Sequence, residues 1–127
     1  MPHNNLKLFC KIYLDTDLDR ASVLSDISGA IGGQPGPYSS LVHGTCDLDV
    51  IRNDDFNEQK RKVLPDGFLY SKYLIEIEPS KGIRTETYIT TISCLLEGLW
   101  ERGYKAVASC DFEELLLNKG GYSQVQD

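Results

Sequence analysis

The side chains most able to do chemistry are aspartates, and they fall in two groups. Asp15, Asp17 and Asp19 alternate directly after an apolar strand. An aspartate pair in that place can supply the nucleophile and the acid–base of phosphoryl transfer. The fold that runs this reaction is much larger than 127 residues, and no later lysine or acidic motif completes the set. The same stretch resembles the opening of a calcium loop. Its sixth position is Arg20, where the sharp turn needs glycine, and its twelfth is Asp26, where a bidentate glutamate belongs. A helix start is the simpler role, because carboxylates satisfy free N–H groups and face the positive end of the helix dipole. The second group is Asp47, Asp49, Asp54 and Asp55. Alternation turns the first pair outward on a strand, and the second pair lies in the loop that follows. Such a group suits a charged edge strand that resists edge-to-edge pairing, a docking surface for basic side chains, or a metal if the carboxylates converge.

Other reactive material is sparse. The four cysteines, Cys10, Cys46, Cys94 and Cys110, contain no C-x-x-C pair, so finger-type zinc and dithiol motifs are absent. Each lies in an apolar, periodic segment and reads as a buried, reduced thiol. Of the two histidines, His3 sits near the start of the chain and His43 points outward from a strand. No serine lies in a G-x-S-x-G elbow. No phosphate-binding glycine motif occurs, since Gly32, Gly33 and Gly36 belong to a helix stop and a loop. The residues therefore point to a protein without catalytic residues, metal or cofactor.

The elements that position these residues follow from two periods. Residues 6–14 alternate, with Leu6, Leu8, Cys10, Ile12 and Leu14 on one face. Residues 17–31 read as a helix through Val23, Leu24, Ile27 and Ile31, capped by Thr16 or Asp17 and stopped at Gly32-Gly33. The loop QPGP follows, its prolines opposed to regular pairing. Residues 39–51 read as one strand with Val42, Cys46, Leu48 and Val50 inward and Gly44 at a bulge. Residues 52–66 form a long polar connection that ends in the Pro65-Asp66-Gly67 turn. Residues 68–78 are aromatic and β-branched, hence a strand, with Leu69, Tyr73, Ile75 and Ile77 inward. The strongest helix spans 85–102, with Thr85 as cap and a stripe through Tyr88, Ile92, Leu96 and Trp100. A short strand over 104–110 closes the order.

The order β-α-β-β-α-β predicts an α+β domain of ferredoxin-like type: a four-stranded antiparallel sheet with two helices on one face. One domain over residues 1–127 is expected, with an ordered core over about 6–117 and a polar tail over 118–127. Phe9, Tyr13, Tyr70 and Lys72 should sit on the open face, where an RNA-recognition module would carry its stacking aromatics. The segment GFLYSKYLI matches that module's motif poorly, lacking its second glycine and the aromatic that follows. The formal charge of −6 also opposes nucleic acid. The first residues lack a signal-peptide layout and no apolar run approaches about 20 residues, so a cytoplasmic protein without membrane contact is expected.

Whole segments resemble small bacterial immunity proteins of polymorphic or contact-dependent growth inhibition toxin systems. They are YLDTDLDRASV, DVIRNDDF, PDGFLYSKYLIEIEP and LLEGLWERGYKAVASCDFEELL, spread over residues 6–117. Relatives place a proline after the last acidic-leucine run, where this chain has Leu116 and Leu117. The resemblance implies a stoichiometric inhibitor that binds a cognate toxin C-terminal domain, with nucleases among the candidates. An acidic inhibitor suits a basic toxin through steering and charge complementarity. The expected contact residues are Asp47, Asp49, Asp54, Asp55 and Phe56. A homodimer is left open. The competing reading is a small-molecule-sensing, ACT-like regulatory domain that uses the loop 32–37; a metal-dependent enzyme built on residues 15–19 stands third.

Overall fold

A computed structural model describes residues 7–63 and 66–122. His3, Leu6, Leu64, Pro65 and the end of the tail, 123–127, lie outside the described residues. In chain order the elements are β1 (Cys10–Asp15), α1 (Arg20–Ile31), β2 (Gln34–Pro35), β3 (Ser40–Val42), β4 (Cys46–Arg52), β5 (Tyr73–Pro79), α2 (Thr85–Glu101) and β6 (Lys105–Ser109). The fold is α+β. Among the described residues one antiparallel sheet runs β2-β3-β4-β5-β1-β6, six strands rather than four, and two helices pack on it.

The extra strands come from a hairpin hidden inside residues 34–52. His43 and Cys46 exchange backbone hydrogen bonds of 2.9 and 3.3 Å, so the chain reverses at His43-Gly44-Thr45. The His43 ring nitrogen Nδ1 accepts from the Thr45 N–H at 3.1 Å and holds the turn. The reversal shifts the parity of the first arm. Leu41 is buried opposite Leu48, whereas Val42 stands opposite Asp47 and is half exposed. The single strand over 39–51, with Val42 inward and a bulge at Gly44, is corrected accordingly. Gln34 and Pro35 do pair, with Val42 and Leu41. Proline is tolerated there because β2 is the outermost strand.

Elsewhere the alternation holds. Cys10, Ile12 and Leu14 of β1 are fully buried, as are Ile75 and Val50 on neighbouring strands. They meet Val23 and Ile27 of α1 and Tyr88, Ile92, Leu96 and Leu99 of α2 in one core, so both helices lie on the same face. Gly98 permits that helix pair: a Cβ there would stand 2.5 Å from the Cβ of Ala30. The Tyr88 hydroxyl donates to the Leu8 carbonyl at 2.6 Å and fastens α2 to the entry of β1.

Helix starts and one strand start differ from expectation. Asp19, not Thr16 or Asp17, caps α1, accepting from the Ser22 N–H at 2.9 Å. Arg84 precedes α2 without a side-chain cap, and Thr85 is the first helical residue. Gly67–Tyr70 form a 3-10 turn, so β5 begins at Tyr73 and Leu69 is exposed rather than inward. The chain after β6 packs back on the domain, and the described part of the expected polar tail, 118–122, packs with it. Phe112 and Leu116 are buried, the Leu117 N–H reaches Ser93 Oγ, and Tyr122 ends on the open face against Phe68.

Candidate functional site

The open face of the sheet carries two different surfaces. Toward the C-terminal end of β1, Tyr13 lies in one row with Ile51, Leu74 and Val107. Phe68 meets the Tyr13 ring edge-on at 5.4 Å, and Tyr122 meets Phe68 at 5.5 Å. Val107 is thereby 2% exposed although it faces away from the helices. Tyr13 is covered, so it is not a free stacking platform. Tyr70 sits in the 3-10 turn beneath Lys60, and Lys72 lies over the Tyr73 ring, so neither joins an open aromatic face.

The other half of the face is acidic and uncovered. The β4 run Asp47-Leu48-Asp49 and the β5 run Ile75-Glu76-Ile77-Glu78 each put an aliphatic residue inward and a carboxylate outward. The register then sets Asp47 opposite Glu78 and Asp49 opposite Glu76. Like charges opposite one another on paired strands repel. Among the described residues, none of the four lies within ion-pairing distance of a lysine or arginine. Asp49 accepts a hydrogen bond from Ser39 Oγ at 2.5 Å, and Lys11 stands opposite Glu76 on the β1 side. A shallow hollow of about 290 Å³ opens over these carboxylates, with Phe9 at its margin. Phe9 and Val42, both nearly half exposed, supply apolar surface beside the charge. Glu76 and Glu78 are not among the residues expected from the sequence. The signal that finds them is the outward parity of IEIE, read together with an antiparallel partner carrying DLD.

Asp54, Asp55 and Phe56 lie elsewhere. They follow the opposite end of β4, about 17 Å along the strand from Asp47 at roughly 3.3 Å per residue. β4 is interior, flanked by β3 and β5, so the acidic strand is not a sheet edge. The loop after β4 is built around Asn53, which is 3% exposed. Its Nδ2 donates to the carbonyls of Leu69 and Ser71 at 3.1 and 2.8 Å, while its Oδ1 accepts from the Asp55 N–H. Asp54 and Asp55 are exposed on this turn. Phe56 is not a free contact residue: the guanidinium groups of Arg52 and Arg61 lie 5.0 and 5.2 Å from its ring centre.

Arg61 also explains the aspartates after β1. Its side chain is 8% exposed and pairs with Asp15 at 3.3 Å, Asp17 at 2.6 Å and Glu58 at 3.0 Å. Asp15 accepts from the Lys72 N–H as well. The hydrogen bond from Arg61 and its charge hold the Asp17 carboxyl below the ordinary carboxylate range. Gly67 lets the chain pass close to this knot, since a Cβ would stand 2.7 Å from the Arg61 carbonyl oxygen. Asp15 and Asp17 thus tie the long loop to the sheet, and Asp19 caps α1. Among the described residues no group of three or more His, Cys, Asp or Glu side chains is arranged to hold a metal ion.

Two of the four cysteines depart from expectation. Cys10 and Cys46 are buried, but Cys94 is exposed on α2 and Cys110 is only partly buried. No described helix is long and apolar enough to cross a membrane. No protein-family model, curated protein or solved structure matches the chain.

Proposed function

We propose that the protein is an immunity-type inhibitor that binds a basic toxin domain through the uncovered acidic half of its sheet. The observation that carries this reading is the set Asp47, Asp49, Glu76 and Glu78. Four outward carboxylates face each other in pairs, none within ion-pairing distance of a lysine or arginine among the described residues. A cationic partner would relieve that repulsion on binding, and Phe9 and Val42 would be covered with it. The expected contact surface therefore shifts from the loop residues Asp54, Asp55 and Phe56 to the β4–β5 ladder, with Asp47 and Asp49 retained. The scaffold reading is a ferredoxin-like core: the order β4-β5-β1-β6, with helices after β1 and β5, supports it, and the β2–β3 hairpin extends it beyond β4.

Co-expression with the toxin domain encoded beside the gene tests the reading. A stable complex that the double reversal Asp49→Lys/Glu76→Lys weakens by about 100-fold is expected, taking about 1.5 kcal/mol for each close interfacial charge pair. Failure to form a complex refutes inhibition. An unweakened complex refutes the surface.

One observation favours a second reading, a small-molecule sensor. A groove of about 410 Å³ lies between α1 and the β2–β3 hairpin, lined by Leu24, Ser28, Pro35 and Tyr38. It adjoins the loop 32–37, and its volume is within the range of ligand sites. A metabolite screen by thermal shift separates the readings, because a sensor is stabilised by its ligand and an inhibitor only by its toxin.

A further inference from the structure

We propose that Cys10 and Cys110 are a redox pair that hydrogen peroxide closes into a cross-strand disulfide, fastening the start of β1 to the segment that follows β6. The register places them together. Lys11 stands opposite Ser109, the last residue of β6, on the antiparallel pair β1–β6, and continuing that register one residue past the strand brings Cys10 opposite Cys110. The inward pairs Leu14–Ala106 and Ile12–Ala108 set the parity, and the two cysteines continue that row. Opposed residues on antiparallel strands have Cα atoms about 4.5–5.5 Å apart, inside the roughly 4.4–6.8 Å that a disulfide spans. The two thiols perturb one another as close neighbours do, Cys110 raising Cys10 and Cys10 lowering Cys110, while the Cys10 S–H donates to the Lys11 carbonyl at 3.7 Å.

Their environments differ in the way the chemistry needs. Cys10 is fully buried, whereas Cys110 is partly exposed. The neighbouring Cys10, helped by the Phe112 N–H, lowers the Cys110 thiol below its ordinary range, although burial, Glu113 and Asp111 act in the opposite sense. The same neighbouring thiol and then burial push Cys10 upward. Cys110 is therefore the attacking sulfur and Cys10 the resolving one. The Cys110 thiolate attacks one peroxide oxygen: an S–O bond forms, the O–O bond breaks and hydroxide leaves, which takes up the proton of the original thiol. The Cys10 sulfur then attacks the sulfenic sulfur. An S–S bond forms, the S–O bond breaks, and the Cys10 proton leaves with the hydroxyl as water. Two thiols are oxidised and one peroxide is reduced to two waters.

The bond would secure the segment that shields the sheet edge. Just past Cys110 the chain buries Phe112 and Leu116 and then runs to Tyr122 on the far face. The Cys110 N–H itself donates to the Glu113 carboxylate at 2.9 Å. The proposal is independent of the inhibitory reading, and its test requires no toxin. Folded wild-type protein is treated with hydrogen peroxide, blocked with an alkylating reagent, digested and mapped by mass spectrometry without reduction. The expected product is a Cys10–Cys110 cross-linked peptide about 2 Da lighter than its two free thiols together, reversed by dithiothreitol. Cys94, although more exposed, should react at least about tenfold more slowly than Cys110. The oxidised protein should melt higher than the reduced one, and in Cys10→Ser a sulfenic acid should be trapped at Cys110 by dimedone. If that variant does not fold, the wild-type map decides alone. Absence of the cross-link, its appearance only after denaturation, or oxidation of Cys94 as fast as Cys110 overturns the proposal.

Discussion

Neutralising the two outward glutamates of β5 should make the protein more stable. Glu76 faces Asp49 and Glu78 faces Asp47 across the ladder. At a separation of about 5 Å, two like unit charges in water repel by about 0.8 kcal/mol, so the two pairs together cost about 1.7 kcal/mol. Lys11, opposite Glu76 on β1, offsets part of this, which leaves a net gain of about 1 kcal/mol for Glu76→Gln/Glu78→Gln. In a domain of this length 1 kcal/mol moves the melting temperature by about 4 °C. Thermal melts followed by circular dichroism in a low-salt buffer should show that rise. In 1 M salt the Debye length falls to about 3 Å, shorter than the charge separation, and the difference between variant and wild type should nearly vanish. No rise at low salt, or a rise that salt does not remove, would refute the claim that the ladder stores repulsion. Under the proposed function, a sheet that tolerates such repulsion trades stability for a surface charge that a partner can use.

Removing the charge at Arg61 should loosen the loop after β4. Arg61→Met strands Asp15, whose side chain is only 16% exposed, and should cost about 2 kcal/mol by urea denaturation, less than a fully buried pair because Asp17 and Glu58 reach solvent. Arg61 depresses the folded-state pKa of Asp17. The stabilisation is therefore present above the unfolded value of about 3.9 and is lost as pH falls through the lower folded value. Urea midpoints measured from neutral pH down into the acid limb should fall less steeply in Arg61→Met than in wild type. Asn53→Ala, which leaves the carbonyls of Leu69 and Ser71 without their donor, should cost about 2 kcal/mol in the same assay.

Local spacing suffices wherever one chain segment makes one element. The parity of β1, the inward residues of β5 from Tyr73 onward and the buried stripe of α2 all follow from it. The hairpin within 34–52 is not legible in this way, because its turn, His43-Gly44-Thr45, replaces the usual Asn-Gly signal with a histidine that accepts a hydrogen bond through its side chain. Without that turn the parity of Val42 reverses, two strands disappear and β4 looks like an edge. The 3-10 turn at Gly67–Tyr70 is masked by its own residues, since Phe68, Leu69 and Tyr70 suit a strand while Phe68 is needed against Tyr13. The acidic site is half legible. Asp47 and Asp49 stand out by alternation, but their opposition to Glu76 and Glu78 is a property of register between segments roughly 30 residues apart. The pairing of Arg61 with Asp15 and Asp17 is likewise long-range, so in sequence those aspartates resemble capping groups.

The most direct test of the proposed function is the association rate of the protein with the basic toxin domain that the proposal expects to be encoded beside it, followed by stopped flow across a range of salt concentrations. The wild type should associate fast at low salt and slow steeply as salt rises. The variant Asp47→Asn/Asp49→Asn/Glu76→Gln/Glu78→Gln should associate at least about tenfold more slowly at low salt and lose most of the salt dependence, whereas Asp54→Asn/Asp55→Asn should behave as wild type. Wild-type kinetics in the four-site variant, or the main loss in the Asp54/Asp55 variant, would contradict the proposal that the β4–β5 face meets a toxin.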